Sequence, residues 1–160
     1  MGTLSVSWDD PAELAARGRE MAGLDFLRAI CDGSLPSPPI SHLLGFALVE
    51  VEEGRVVFAA TPGEQHFNPI GVVHAGLAAT MLDSAMGAAV HSTLPLGSGY
   101  TTLETKFNLV RAVTHETGEI RCDGRVLHAG RRVATADGRV VRVSDGKLLA
   151  HGTSTCMILS

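Results

Sequence analysis

Apolar and polar positions change period several times along this chain. Asp9 or Asp10 is placed to cap a helix with Pro11 at its first position. A helical pattern runs on through PAELAARGREMAG and LDFLRAICDG, weakened at Gly18 and Gly23. This arm is moderately amphipathic and is expected to pack on the outside of the main domain. Three prolines make Ser34 to Ile40 a loop. The next two segments, SHLLGFALVEVEEG and RVVFAATPG, suit strands joined at the turn signal Glu52-Glu53-Gly54. A loop from Glu64 to Val73 then leads into small and apolar residues, and Ala75 to about His91 reads as a helix apolar nearly all round. After the break LPLGSG, four segments alternate apolar with polar: YTTLETKFNLVRAV, ETGEIRCDGRVLHAG, RRVATADGRVVRVSDG and KLLAHGTSTCMIL.

The order is helical arm, β-β, one long helix, then four consecutive antiparallel strands. An antiparallel sheet has one face to cover, and the apolar helix is the element able to fill it. The expected class is α+β, with a curved antiparallel sheet of about six strands wrapped round one central helix. Residues 1–39 form the arm and Pro-rich loop, and residues 40–160 the main domain.

Composition narrows the partners. The 160 residues are 45% apolar and 19% charged, which suits one domain with a sizeable core. A net charge of −4, with aromatics at 4% and no basic stripe, argues against nucleic acid. Cys31, Cys122 and Cys156 make no CxxC or Cys/His ligand pattern, so reduced thiols in a cytoplasm, no metal and no cofactor are expected. MGTLSVSWDD lacks a basic segment followed by an apolar one, so no secretory leader is expected. Asn68, Pro69, His74 and Asp83 interrupt the apolar stretch, which makes it a poor membrane span. GxSxG and HExxH are both absent, disfavouring a serine hydrolase and a zinc protease.

Asp83 is the only formally charged side chain between Glu64 and Glu104. An acid desolvated on such a helix needs donors. One reading makes it structural, satisfied by Thr80, Ser84 or backbone groups. The other makes it chemical, because His74 and Asn68 precede the helix and Ala75 and Gly76 at its start offer N–H groups to an oxyanion. Ala75 and Asp83 lie eight residues apart, or about 12 Å along one helix. Groups acting on one carbonyl must come within about 3 Å of it. If both act, the second comes from another chain, and two antiparallel copies of the helix about a two-fold axis would supply it.

These residues resemble the hotdog-fold acyl-CoA thioesterases, in particular the PaaI-like branch. The matching positions are Asn68, Gly71, His74, Gly76 and Asp83, then TLETKFNLVRAV and the HAGRR turn, and the resemblance covers about residues 40 to 158. It implies that Asp83 is the catalytic carboxylate, as nucleophile or as base for water. It implies that Asn68 helps hold the water or the thioester, that His74 precedes the helix, and that Thr102 orients water. Where the family commonly reads HGG, this chain has Ala75, which keeps the N–H that would polarise the thioester carbonyl. His128, Gly130, Arg131 and Arg132 would meet the phosphates of coenzyme A, with arginine suited to bidentate contact. Met86 would line the acyl site, and the site would be shared in a dimer, itself paired into a dimer of dimers. A non-catalytic acyl-CoA-binding module is the alternative. A hotdog dehydratase fits less well, since its motif is not found.

Overall fold

Asp10 caps the first helix. Its carboxylate accepts the Ala12 N–H at 2.8 Å, and Pro11 opens α1 (Pro11–Arg19). In the computed structural model, which describes residues 1–159, α2 follows at Gly23–Cys31. A short helix, α3 (Pro39–Leu44), precedes β1 (Phe46–Glu52) and β2 (Arg55–Ala60). The long helix α4 spans Ala75–His91. Four strands close the fold: β3 (Gly99–Leu109), β4 (Ile120–Ala129), β5 (Val133–Arg142) and β6 (Leu148–Leu159).

All six strands form one antiparallel sheet in the order β1-β2-β4-β5-β6-β3, and α4 lies across its concave face. This is the hotdog architecture. Met81, Leu82, Ala85, Met86, Ala89 and Val90 of α4 are wholly buried against Val56, Ile120, Cys122, Ala136, Val140 and Cys156 of the sheet. The close fit depends on Gly124 of β4. A Cβ there would stand 2.4 Å from the carbonyl carbon of Ala85, so only glycine lets the helix backbone come so near.

Four expectations need correction. SHLLG does not begin a strand: Pro39 starts a helix and Gly45, at φ +63°, ends it, so β1 begins only at Phe46. The last four strands are not paired in sequence order. Ten residues separate β3 from β4, too many for a tight hairpin, and β3 pairs along its length with β6 and forms a sheet edge. The arm does not merely sit outside, because Leu14, Leu27 and Ile30 enter the main core and α2 packs on β1 and α4. Finally, α4 is not covered all round. Ala75, Gly76, Ala79 and Thr80 are only half-buried and Asp83 is exposed, all along one stripe that the sheet leaves uncovered and meets only at Asp83, through β3.

Among the described residues no helix is long and apolar enough to cross a membrane. All three cysteines are free thiols, and burial pushes Cys122 and Cys156 up from their ordinary values.

Candidate active site

The loop ahead of α4 is built on Asn68. Its side-chain oxygen accepts the N–H groups of Ile70 and Val72 at 3.1 and 3.2 Å, and its backbone exchanges bonds with Val72 and Gly71. Gly71, at φ +81°, turns the chain back. A bridge between Phe67 and Val73 and a bond from His74 N–H to His66 carbonyl at 2.7 Å close the loop. Beneath it lies His66, 8% exposed, whose Nδ1 accepts the Gly63 N–H while Nε2 donates to the Leu44 carbonyl. His66 ties the loop to α3. Sequence reasoning gave it no role, because both its partners are backbone groups that no side-chain pattern marks.

His74 is the N-cap of α4. Its Nδ1 accepts the Gly76 N–H at 2.8 Å, which puts the ring proton on Nε2. This corrects one expectation, since the Gly76 N–H is already used by the cap. The Ala75 N–H is the donor left at the helix start, as a first-turn amide has no intrahelical partner. Alanine causes no strain there, for no non-glycine residue among those described has positive φ. A cavity of about 360 Å³ opens beside it, lined by Asn68, His74, Ala75, Leu77, Leu109 and Arg111 among others. Arg111 is fixed by a 2.7 Å bond to the Leu148 carbonyl.

Asp83 faces outward two turns further along, and its partners are not Thr80 or Ser84. Thr80 donates to the Gly76 carbonyl instead. Two threonines of β3 hold the acid: Thr102 Oγ1 donates to Oδ1 at 3.1 Å and Thr105 Oγ1 to the same oxygen at 3.2 Å. Residues three apart on a regular strand point to opposite faces. A bulge between Thr102 and Glu104 restores both to the face of α4, so that Thr102 pairs with Cys156 and Thr105 with Ser154. Both hydroxyls reach Oδ1, leaving Oδ2 without a donor among the described residues. Strict alternation hides Thr105 from a sequence reading. Within one chain Asp83 and Ala75 belong to one unbroken helix and are too far apart to share a carbonyl.

The other expected contacts separate into two groups. His128, Gly130, Arg131 and Arg132 do come together, in the β4–β5 turn closed by the Gly130 N–H to Val133 carbonyl bond. Arg131 and Arg132 are exposed and make no ion pair among the described residues. The turn stands just beyond the rung Ala134–Cys156–Thr102 that leads to Asp83. Met86, by contrast, is wholly buried in the core beneath Gly138 and lines neither the cavity at the helix start nor the Asp83 face. No cluster of metal-ligating side chains occurs among the described residues.

A curved sheet on one helix, with an acid on the helix's open stripe and a capped amide at its start, defines a hotdog protein of the thioester-hydrolase class. The sequence pattern of the thioesterase superfamily matches residues 70–149, and the chain belongs to that family. Human acyl-coenzyme A thioesterase 13 is 28% identical over 131 residues, 81% of this chain and 91% of that protein. A conserved protein of Pseudomonas aeruginosa is 36% identical with a TM-score of 0.71, over 77% of this chain and 95% of that one. A phenylacetic acid degradation-related protein of Ralstonia eutropha is 28% identical with a TM-score of 0.73, over 82% and 98%. A protein of Caenorhabditis elegans is 31% identical over 112 residues, and the chain spans 64% of its length.

Proposed function

We propose that the protein hydrolyses the thioester of a medium-chain or aromatic acyl-CoA at a site shared by two copies of the chain. The observation that carries this reading is Asp83, held through one oxygen by Thr102 and Thr105 on the open stripe of α4. In the shared site Oδ2 takes the proton of an attacking water, or itself attacks the carbonyl carbon to form an anhydride that water then hydrolyses, restoring the carboxylate. The Ala75 N–H of the second copy receives the developing oxyanion. The C–S bond breaks, the thiolate leaves and takes up a proton, and free acid and CoA depart. Asn68 and His74 hold the loop that presents the amide. Thr102 fixes the carboxylate and the water it activates. Gly130, Arg131, Arg132 and His128 meet the phosphates of CoA.

Pairing of two copies is supported by what one chain leaves uncovered. The stripe of Ala75, Gly76, Ala79 and Thr80 is small enough for two helices to approach closely. Beside it β3 is an unpaired edge with Leu103, Phe107 and Leu109 exposed. Covering these surfaces would also desolvate Asp83. Leu127, Val133 and Met157 add exposed apolar side chains on the neighbouring strands, suited to a second pairing into a dimer of dimers. Three free thiols, two of them buried, favour the cytoplasm.

Thiol release across a panel of acyl-CoAs tests the reading. The wild type is expected to turn over medium-chain or aryl thioesters, and Asp83→Asn to lower kcat at least about a hundredfold. Full rate in that variant removes Asp83 from the mechanism. Binding without release anywhere in the panel would instead favour the non-catalytic acyl-CoA module.

A further inference from the structure

A second cavity, of about 330 Å³, lies between the N-terminal arm and the main domain. Leu14 of α1 and Phe26 and Ile30 of α2 roof it, while Phe58, Ala88 and Tyr100 form its floor. We propose that this chamber receives the acyl group of the substrate, and that the arm therefore sets which acyl thioesters are accepted. The proposal rests on the thioesterase reading above.

Three observations carry it. The first is position. Ser84, next to Asp83, lines the chamber, and Tyr100 lies two residues before Thr102 on the same face of β3. The Tyr100 hydroxyl is pushed up from its ordinary value by burial first and by the charge of Asp83 next, which puts phenol and carboxylate within electrostatic reach. The second is size. A dry apolar cavity of about 150 Å³ holds a benzene ring. This one is about twice that, room for an aryl group or a medium-length alkyl chain.

The third is chemistry. Most of the lining is hydrocarbon, interrupted by the hydroxyls of Ser37, Ser41, Ser84 and Tyr100, and the lining residue His91 is held below its ordinary value by burial, which favours the neutral ring. His91 packs between Phe26 and Tyr100 with ring centroids 5.7 and 5.6 Å away. No lysine or arginine lines the chamber to offset a buried carboxylate, so an uncharged acyl group is the class that fits. Without α1 and α2 the floor would lie open to water. The arm thus turns a shallow face of the hotdog core into an enclosed chamber.

Two variants alter the chamber from opposite sides. Ala15 is exposed at the rim, so Ala15→Trp narrows the chamber without touching the core. Phe26→Ala widens it. Each methylene moved from water into an apolar site is worth roughly fourfold in affinity. For Ala15→Trp, kcat/KM on acetyl-CoA should stay within about twofold, while octanoyl-CoA and phenylacetyl-CoA fall at least about tenfold. Phe26→Ala should shift the preferred chain length upward. Equal changes across the series in both variants, with unchanged melting temperature, would overturn the proposal while leaving the thioesterase reading intact. Calorimetry with non-hydrolysable alkyl-CoA thioethers separates the two ideas. Affinity that rises with alkyl length in the wild type but not in Ala15→Trp supports the chamber even if no thiol is ever released. Affinity independent of alkyl length removes it.

Discussion

The carboxylate of Asp83 takes two hydroxyl bonds on one oxygen, and in the proposed site those bonds decide which oxygen is left for a substrate. Thr105 has a single proton, and the charged acceptor at 3.2 Å competes with Ser154 Oγ at 3.4 Å. Replacing either threonine by valine keeps the shape and removes a donor. Thr102→Val and Thr105→Val should each lower kcat by about tenfold with little change in KM, measured by thiol release. His91 carries a different prediction. Its folded value is depressed, so the unfolded chain binds this proton more readily and stability declines as pH falls. The contribution is whole above about pH 6.5 and is lost as pH drops through the lowered value. The fall in melting temperature from about pH 7.5 to about pH 5 should therefore be smaller in His91→Phe than in the wild type. At this scale Asp83 and His74 stand out as candidates because each is polar beside an apolar helix, and Asn68 because it opens the loop ahead of that helix. Thr105 and His66 were not, for a bulge and two backbone partners leave no trace in side-chain periodicity.

The long helix is the element whose bounds follow most directly from residue chemistry. His74 caps it, small residues fill it, and LPLGSG follows it. Its seating on the sheet is another matter, because the fit to Gly124 involves two segments about forty residues apart. Gly124→Ala forces helix and sheet apart and should cost about 1–3 kcal/mol, read from denaturant unfolding. The alternating segments after the helix were recognisable as strands for the same reason the helix was: a face repeats. Their partners were not recognisable, since alternation states which side is buried and says nothing of the neighbour. The ten-residue gap before β4 is the one local sign that β3 goes elsewhere. Ser41 to Leu44 misled because two leucines beside a strand look like its beginning, while Pro39 and Gly45 bracket a helical turn.

At the scale of the whole molecule, the proposed site needs a second chain, and this can be tested by mixing. Ala75→Pro deletes the amide donor, and its conformation is compatible: Pro suits the first helical position, and His74 already has the extended ψ of 138° that precedes proline. Ala75→Pro and Asp83→Asn should each be nearly inactive alone. Co-expressed, they should recover about a quarter of wild-type activity, because half the dimers are mixed and each mixed dimer holds one intact site. No recovery would remove the shared site, since the two groups would then not act together across the pair. The domain outline, one sheet around one helix, was visible from the count and order of elements alone. The enclosure formed by the arm was not, since amphipathic helices announce an apolar face without stating what it covers.

The strand that carries both threonines has one neighbour in its own chain, and that neighbour is β6, the farthest strand along the sequence. A ribosome therefore finishes Asp83, Thr102 and Thr105 long before any of them can be set in place. If Asp83 is the catalytic acid, the nascent polypeptide is expected to stay inactive until Leu148–Leu159 has emerged and docked on β3. Truncated translation products retain every proposed catalytic side chain and still lack the means to align them.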